Sequence, residues 1–218
     1  MFKMRPAFAW LGMVWLVAAS VSAQEPPPRI GPFVVDVHGT VPRFPDSQLL
    51  ADSRDLRLAE LPGRGLGLHI SAHVYPLKWK AVTFGIGGEW HTSRARNQPP
   101  PPAPAATVTL RPVEERLRSY GPTLSFNFGS GTGWSYVSGG VGKSIWSVVP
   151  DGRAPFPTDS ESLKTVHYGG GARWFAKAHL AFSFDVRFYA INPGSAYLDF
   201  PHPPRTTVLV IGAGVSVK

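Results

Sequence analysis

From Leu180 onward the chain alternates with a period of two: Leu180, Phe182, Phe184, Val186 and Phe188 share one face of an extended strand, and Ala181, Ser183, Asp185, Arg187 and Tyr189 the other. The second face is not that of an ordinary water-facing sheet, because its recurring residue along the chain is glycine: Gly65 and Gly67, Gly85 and Gly87, Gly169 and Gly171, Gly212 and Gly214. Glycine weakens an exposed strand, so its repetition points to a place where space is short. A sheet that is bulky and apolar on one side and small or charged on the other is satisfied by closing into a narrow barrel whose outside meets lipid.

The N-terminus carries Lys3 and Arg5, an apolar run from Ala7 to Val21, and the small-residue pattern Val21-Ser22-Ala23. This reads as a secretory signal peptide over residues 1–23, with Gln24 as the expected first mature residue. No later stretch approaches the ~18 continuous apolar residues of a membrane-crossing helix. The chain contains no cysteine, which removes disulfides and a lipid-modified cysteine from consideration and leaves backbone pairing and burial to hold the fold. The net charge of +8 includes Lys3 and Arg5. The remaining arginines are scattered rather than striped, which argues against nucleic acid and for anionic lipid head groups or loop solubility.

Residues 24–32, with Glu25-Pro26-Pro27-Pro28, read as an extended periplasmic leader before a barrel over residues 33–218. Eight strands are expected, at about Phe33 to Arg43, Gly65 to Tyr75, Ala81 to Ser93, Leu117 to Phe128, Trp134 to Ile145, Thr165 to Phe175, from Leu180, and from Thr207 to Val217. The fifth is ambiguous. Val137, Val141 and Ile145 favour one parity and Trp134 with Tyr136 the other, and a bulge near Gly139-Gly140 would reconcile them. Eight is an even number, as an up-and-down antiparallel barrel needs for closure.

The connections sort by length. Pro76 to Lys80, Gly129 to Gly133 and Ala176 to His179 are short; Phe44 to Arg64, Arg94 to Arg116, Trp146 to Lys164 and Ile191 to Arg205 are long and rich in proline. Tight turns on the periplasmic side and long loops outside are the arrangement of bacterial outer-membrane barrels. Between Asp46 and Leu61 the leucines admit either a short amphipathic helix over the barrel mouth or an irregular loop packed on its neighbours.

The glycine-punctuated segments Tyr136 to Gly142, Tyr168 to Phe175, His179 to Arg187 and Gly212 to Ser216 resemble the eight-stranded outer-membrane β-barrel family of the OmpA type. The resemblance spans the expected mature chain and implies architecture far more than function. It implies an integral protein of the bacterial outer membrane, exported and then inserted by the barrel-insertion machinery, in contact with outer-membrane lipid and lipopolysaccharide. One departure is the ending Val215-Ser216-Val217-Lys218, where such barrels end in an aromatic; no cell-wall-binding domain is expected after it.

Inward-facing charges are Asp36, Glu89, Arg173, Asp185 and Arg187. The lumen of an eight-stranded barrel is just filled by side chains, so these groups are expected to be dry and paired. Asp185 and Arg187, with Arg173 on the adjacent strand, read as a salt-bridge network plugging the core. His38, His69, His73 and His91 share the inward face without a compact ligand spacing, which favours interior filler over a metal site. His69-Ile70-Ser71 beside Glu89 brings serine, histidine and carboxylate together as in lipid A deacylases, but facing the lumen instead of lipid. The expected function is therefore non-enzymatic and cofactor-free: structural or surface-interacting through the outer loops, with an envelope or surface protein as partner, or as a subunit of an envelope assembly. A small-molecule channel and a lipid A-modifying hydrolase are the alternatives.

Overall fold

The computed structural model describes residues 29–99 and 110–218. The expected signal peptide, the proline-rich start of the expected leader and the run from Pro100 to Pro104 lie outside the described residues. Eight strands follow in order: β1 (Phe33–Arg43), β2 (Gly65–Trp79), β3 (Val82–Asn97), β4 (Val113–Ser130), β5 (Gly133–Pro150), β6 (Leu163–Phe175), β7 (Leu180–Ile191) and β8 (Thr206–Val217). Each pairs antiparallel with the next, and β1 pairs with β8 through Val37↔Val215 and His38↔Gly214, which closes the barrel. Closure is what lipid requires, since an open edge would leave backbone donors and acceptors unpaired at several kcal/mol each, to order of magnitude.

Outward positions form an apolar belt that includes Phe33, Val35, Ile86, Trp90, Leu124, Phe126, Phe128, Phe182, Phe184 and Val215, all exposed. A continuous surface of this kind belongs in a bilayer. Among the described residues no helix is long and apolar enough to cross a membrane, so the crossing is made by strands.

β3, β4 and β5 run further on the long-loop side than the periodicity indicates, to Asn97, from Val113 and to Pro150. Above the belt their outward residues become charged, with Arg94, Arg96, Glu114 and Arg116, while Ala95, Val113, Leu117, Trp146 and Val148 stay buried inside. Apolarity on the outer face therefore marks the bilayer, not the strand end. On the turn side β2 also continues past Tyr75, and the turn shrinks to Lys80-Ala81. Val74 pairs with Ile86 and Leu77 with Phe84, so Tyr75 and Pro76 together oppose Gly85. This bulge sits where proline has no N–H to offer the ladder, and it turns Leu77 and Trp79 outward.

β5 has no bulge at Gly139-Gly140. Its register with β4 is unshifted from Ser130↔Gly133 to Val113↔Pro150, with only the stretch at Gly121 and Pro122 left unpaired, and Gly139 and Gly140 pair in step with Leu124 and Thr123. Val137 and Val141 face lipid, whereas Trp134 and Tyr136 are buried in the lumen. The expected conflict of parities disappears because an aromatic can fill an interior layer as well as a lipid-facing one.

Candidate functional site

The lumen is filled in three layers. At the short-turn end Ile30 and Val34 pack with Trp134, and Tyr75 and Phe175 lean against them. The Trp134 ring stacks on Phe175 at 5.1 Å and meets the edge of Tyr75 at 6.2 Å. Lys218 closes this end, its ammonium 3.9 Å from the centre of the Phe175 ring and hydrogen-bonded to the Gly131 carbonyl. Ile30, within the expected leader, is thus part of the core.

The middle layer is polar and divides into two clusters. In the first, Arg173 of β6 reaches across the lumen to Asp36 of β1, donating from Nε to Oδ1 at 2.8 Å and from an Nη to Oδ2 at 2.6 Å. Ser71 (2.9 Å) and Ser216 (2.5 Å) donate to the same carboxylate. The guanidinium carbon also lies 4.0 Å from the centre of the Tyr136 ring. In the second cluster Arg187 donates to both oxygens of Asp185 at 3.1 and 3.2 Å, to Glu89, and to Ser138 at 3.1 Å. Tyr136 donates to Asp185 at 2.6 Å. Arg173 therefore pairs with Asp36 rather than with its hairpin neighbour Asp185. Forked two-point contacts of this kind are the strong ion pairs, and around them the lumen keeps buried polar atoms without a hydrogen-bond partner, among them both ring nitrogens of His73, one Nη of Arg173 and the Tyr75 hydroxyl.

The inward histidines present rings to one another rather than nitrogens to a common centre. His38 is hydrogen-bonded to Ser183 at 2.7 Å and stacks on His69 at 5.7 Å; His91 contacts Ser93 at 3.1 Å and stacks on Tyr189 at 5.1 Å; His73 lies along Tyr75 at 6.5 Å. Among the described residues no group of three histidine and acidic side chains is placed to hold a metal. A fifth lumen histidine, His167 of β6, joins them with Nδ1 3.0 Å from Glu89. Its inward parity was readable beside Gly169 and Gly171, but its nearness to Glu89 of β3, across the barrel, was not. Ser71 donates to Asp36, and His69 Nε2 stands 3.7 Å from Glu89. The serine-to-histidine hydrogen bond that starts acyl transfer is not made.

At the long-loop end the β1–β2 connection folds into the mouth. Its helix α1 (Gln48–Asp52) is capped by Ser47, whose Oγ accepts from the Leu50 backbone, and a single 3-10 turn follows at Leu58–Glu60. Leu50, Leu56 and Leu61 join Phe44, Leu117, Trp146, Ile191 and Val210 in one apolar cluster, while Leu49 and Leu58 face out. Both expectations for this loop thus hold in part: the helix exists but is one short turn, and leucines pack on the neighbouring strands.

The loops are also tied to one another. Arg54 of the first loop is ion-paired with Asp159 of the β5–β6 loop at 3.1 Å, both side chains 2 % exposed, and Asp159 further accepts from the backbone of Val148 (3.1 Å) and Phe156 (2.8 Å). Arg153 bonds Asp55 at 3.2 Å, and its guanidinium carbon lies 4.6 Å from the centre of the Phe156 ring. Phe156 in turn packs on Tyr197 (5.0 Å) and Phe200 (5.4 Å) of the β7–β8 loop.

Glu60, buried in this cap, accepts from the backbone N–H groups of Arg57 and Arg111, each at 2.7 Å, and from the Arg111 side chain at 3.4 Å. Burial pushes its carboxyl up, but these donors outweigh burial and hold it below the usual glutamate range. A carboxyl lowered by folding stabilises above its ordinary pKa, and that contribution is lost as pH falls through the folded value. Acidification from pH 6 to below the usual glutamate range should therefore lower the amide protection of residues 46–61, measured relative to the intrinsic exchange rate at each pH, before that of the strands. Simultaneous exchange of loop and strands would contradict this.

Eight antiparallel strands, a closed apolar exterior and a solid lumen decide the architecture. The fold is that of a small bacterial outer-membrane β-barrel. Neisserial surface protein A superposes on it with a TM-score of 0.52 and 15% identity, over 86% of this chain and 97% of its own. The outer membrane protein OprG from Pseudomonas aeruginosa gives 0.49 and 11%, over 88% and 97%. Ail, the attachment invasion locus protein of Yersinia pestis, in complex with the heparin analogue sucrose octasulfate, gives 0.45 and 14%, over 84% and 97%. No protein-family model and no curated protein sequence matches the chain.

Proposed function

We propose that this outer-membrane barrel is non-enzymatic and works through its extracellular cap, as a surface-interaction protein anchored by a solid transmembrane plug. The observation that carries this reading is the filling of the lumen. An aromatic layer, a paired polar layer and an apolar layer under the first loop occupy it in turn, and a barrel so filled offers no continuous water path. Function then falls to the loops.

The cap suits recognition because it is ordered in advance. Three connections are held by Arg54–Asp159, Arg153–Asp55 and the Phe156–Tyr197–Phe200 cluster, so little freedom remains to be lost on binding. Arginine beside partly exposed aromatic rings is also the composition of energetic centres in protein interfaces.

The test combines two measurements. Purified barrel in planar bilayers should give no sustained single-channel conductance. Bacteria expressing a variant with the four long connections cut to tight turns should insert the barrel, judged by its heat-dependent gel mobility, but lose attachment to immobilised extracellular-matrix proteins and glycans shown by the full-length protein. Steady conductance would favour a channel. Equal attachment by both proteins, or none by the full-length protein, would remove the loop-mediated reading.

A further inference from the structure

Lys143 of β5 and Lys164 of β6 stand directly opposite each other in the β5–β6 register. Both are exposed on the outer wall, at the long-loop edge of the apolar belt. Like charges facing each other across two strands are unfavourable. Further toward the long loops a second outward pair of like charges, Arg94 and Arg116, stands opposite in the β3–β4 register, and there Glu114 pairs with both. The two lysines have no ion-pair partner among the described residues.

Beside them lies a groove of about 590 Å³, whose floor is made by Tyr120, Val141 and Val166 and whose upper rim carries Lys143, Lys164 and Arg205. Among the described residues no acidic side chain lines it. The floor residues are 51 %, 65 % and 48 % exposed and belong to the lipid-facing belt. Basic side chains at the water boundary above a lipid-facing trough match an amphiphile with an anionic head and an acyl chain. Three uncompensated cations exceed the single charge of a phosphodiester head group and suit a lipid that carries two phosphates.

We propose that the groove between β4 and β6 is a binding site for a bisphosphorylated, acylated glycolipid of the outer leaflet, with Lys143, Lys164 and Arg205 on its phosphates and an acyl chain along Tyr120, Val141 and Val166. The bound phosphate removes the repulsion between the two lysines and fixes the barrel's height against the leaflet that faces the long loops. The site is built from the barrel wall and is independent of what the cap recognises.

The experiment is native mass spectrometry of the detergent-solubilised full barrel titrated with bisphosphorylated lipid A and, separately, with the same lipid after enzymatic removal of both phosphates. Wild-type protein should bind the phosphorylated form in preference. Lys143→Gln combined with Lys164→Gln should weaken that binding about thirtyfold, given the usual contribution of each basic residue near an anionic surface. Arg205→Gln, in a loop where strand pairing is not at stake, should weaken it about fivefold on the same basis. Arg43→Gln, on a different part of the wall, should leave it unchanged, and the heat-dependent gel shift reports folding of each variant. Equal binding of both lipid forms, or undiminished binding by the double variant and by Arg205→Gln, would overturn the site.

Discussion

Arg187→Ala should lower the stability of the barrel by about 3–5 kcal/mol, the cost of leaving buried charge without its partner. One guanidinium serves two carboxylates on different strands: Asp185 at 3.1 and 3.2 Å on its own strand, and Glu89 on β3. Glu89 retains only His69 at 3.7 Å and His167 at 3.0 Å when the guanidinium goes. Both carboxylates are almost fully enclosed, so water does not replace the lost donors. Arg187→Lys should recover only part of the loss, because an ammonium restores the charge but not the planar fork. Urea unfolding in lipid vesicles, followed by tryptophan fluorescence, gives the midpoints. An unchanged midpoint for Arg187→Ala would mean that the middle layer is hydrated, and with it the solid-plug reading of the lumen would fall.

Gly171→Ala should cost toward the upper end of about 1–3 kcal/mol, the range for overfilling a packed interior. A β-carbon at this position would stand 2.0 Å from the Phe184 carbonyl oxygen and 2.8 Å from the Tyr136 hydroxyl oxygen. The first obstacle is backbone, which cannot step aside without parting β6 from β7. The second is the hydroxyl that holds Asp185 at 2.6 Å, so the same methyl disturbs the ion cluster. Gly88→Ala is the internal comparison: there the nearest atom to an added β-carbon is the Gly121 carbonyl oxygen, at 3.6 Å, and the substitution should be nearly silent. Equal unfolding midpoints for the two variants would show that the close approach of β6 to β7 is not what requires glycine.

The lumen also explains why chemistry suggested by spacing does not assemble. His69, Ser71 and Glu89 share a face, yet the serine hydroxyl is taken by Asp36, which needs it to complete a shell that already includes Arg173 and Ser216. In a closed space the best use of each donor is set by the most demanding acceptor, here an ionised carboxylate.

The sequence by itself determined the barrel: strand count, the inward or outward parity of nearly every strand, and the sorting of tight turns from long loops. These are local properties. A period of two is written into successive residues, and the bilayer decides which face turns out. The same rule placed Asp36, Glu89, Arg173, Asp185, Arg187 and the four recognised histidines on the inner wall. It could not resolve β5, because Trp134 and Tyr136 are apolar enough for either side, nor find the bulge at Pro76, which breaks the period for a single residue. Only the tertiary structure decided who meets whom inside. Arg173 and Asp36 are 137 positions apart, and Arg187 and Glu89 are 98 apart; they meet because the closed sheet's stagger brings non-adjacent strands together across a lumen one side chain wide. The juxtaposition of Lys143 with Lys164 has the same origin: it belongs to the register between two strands.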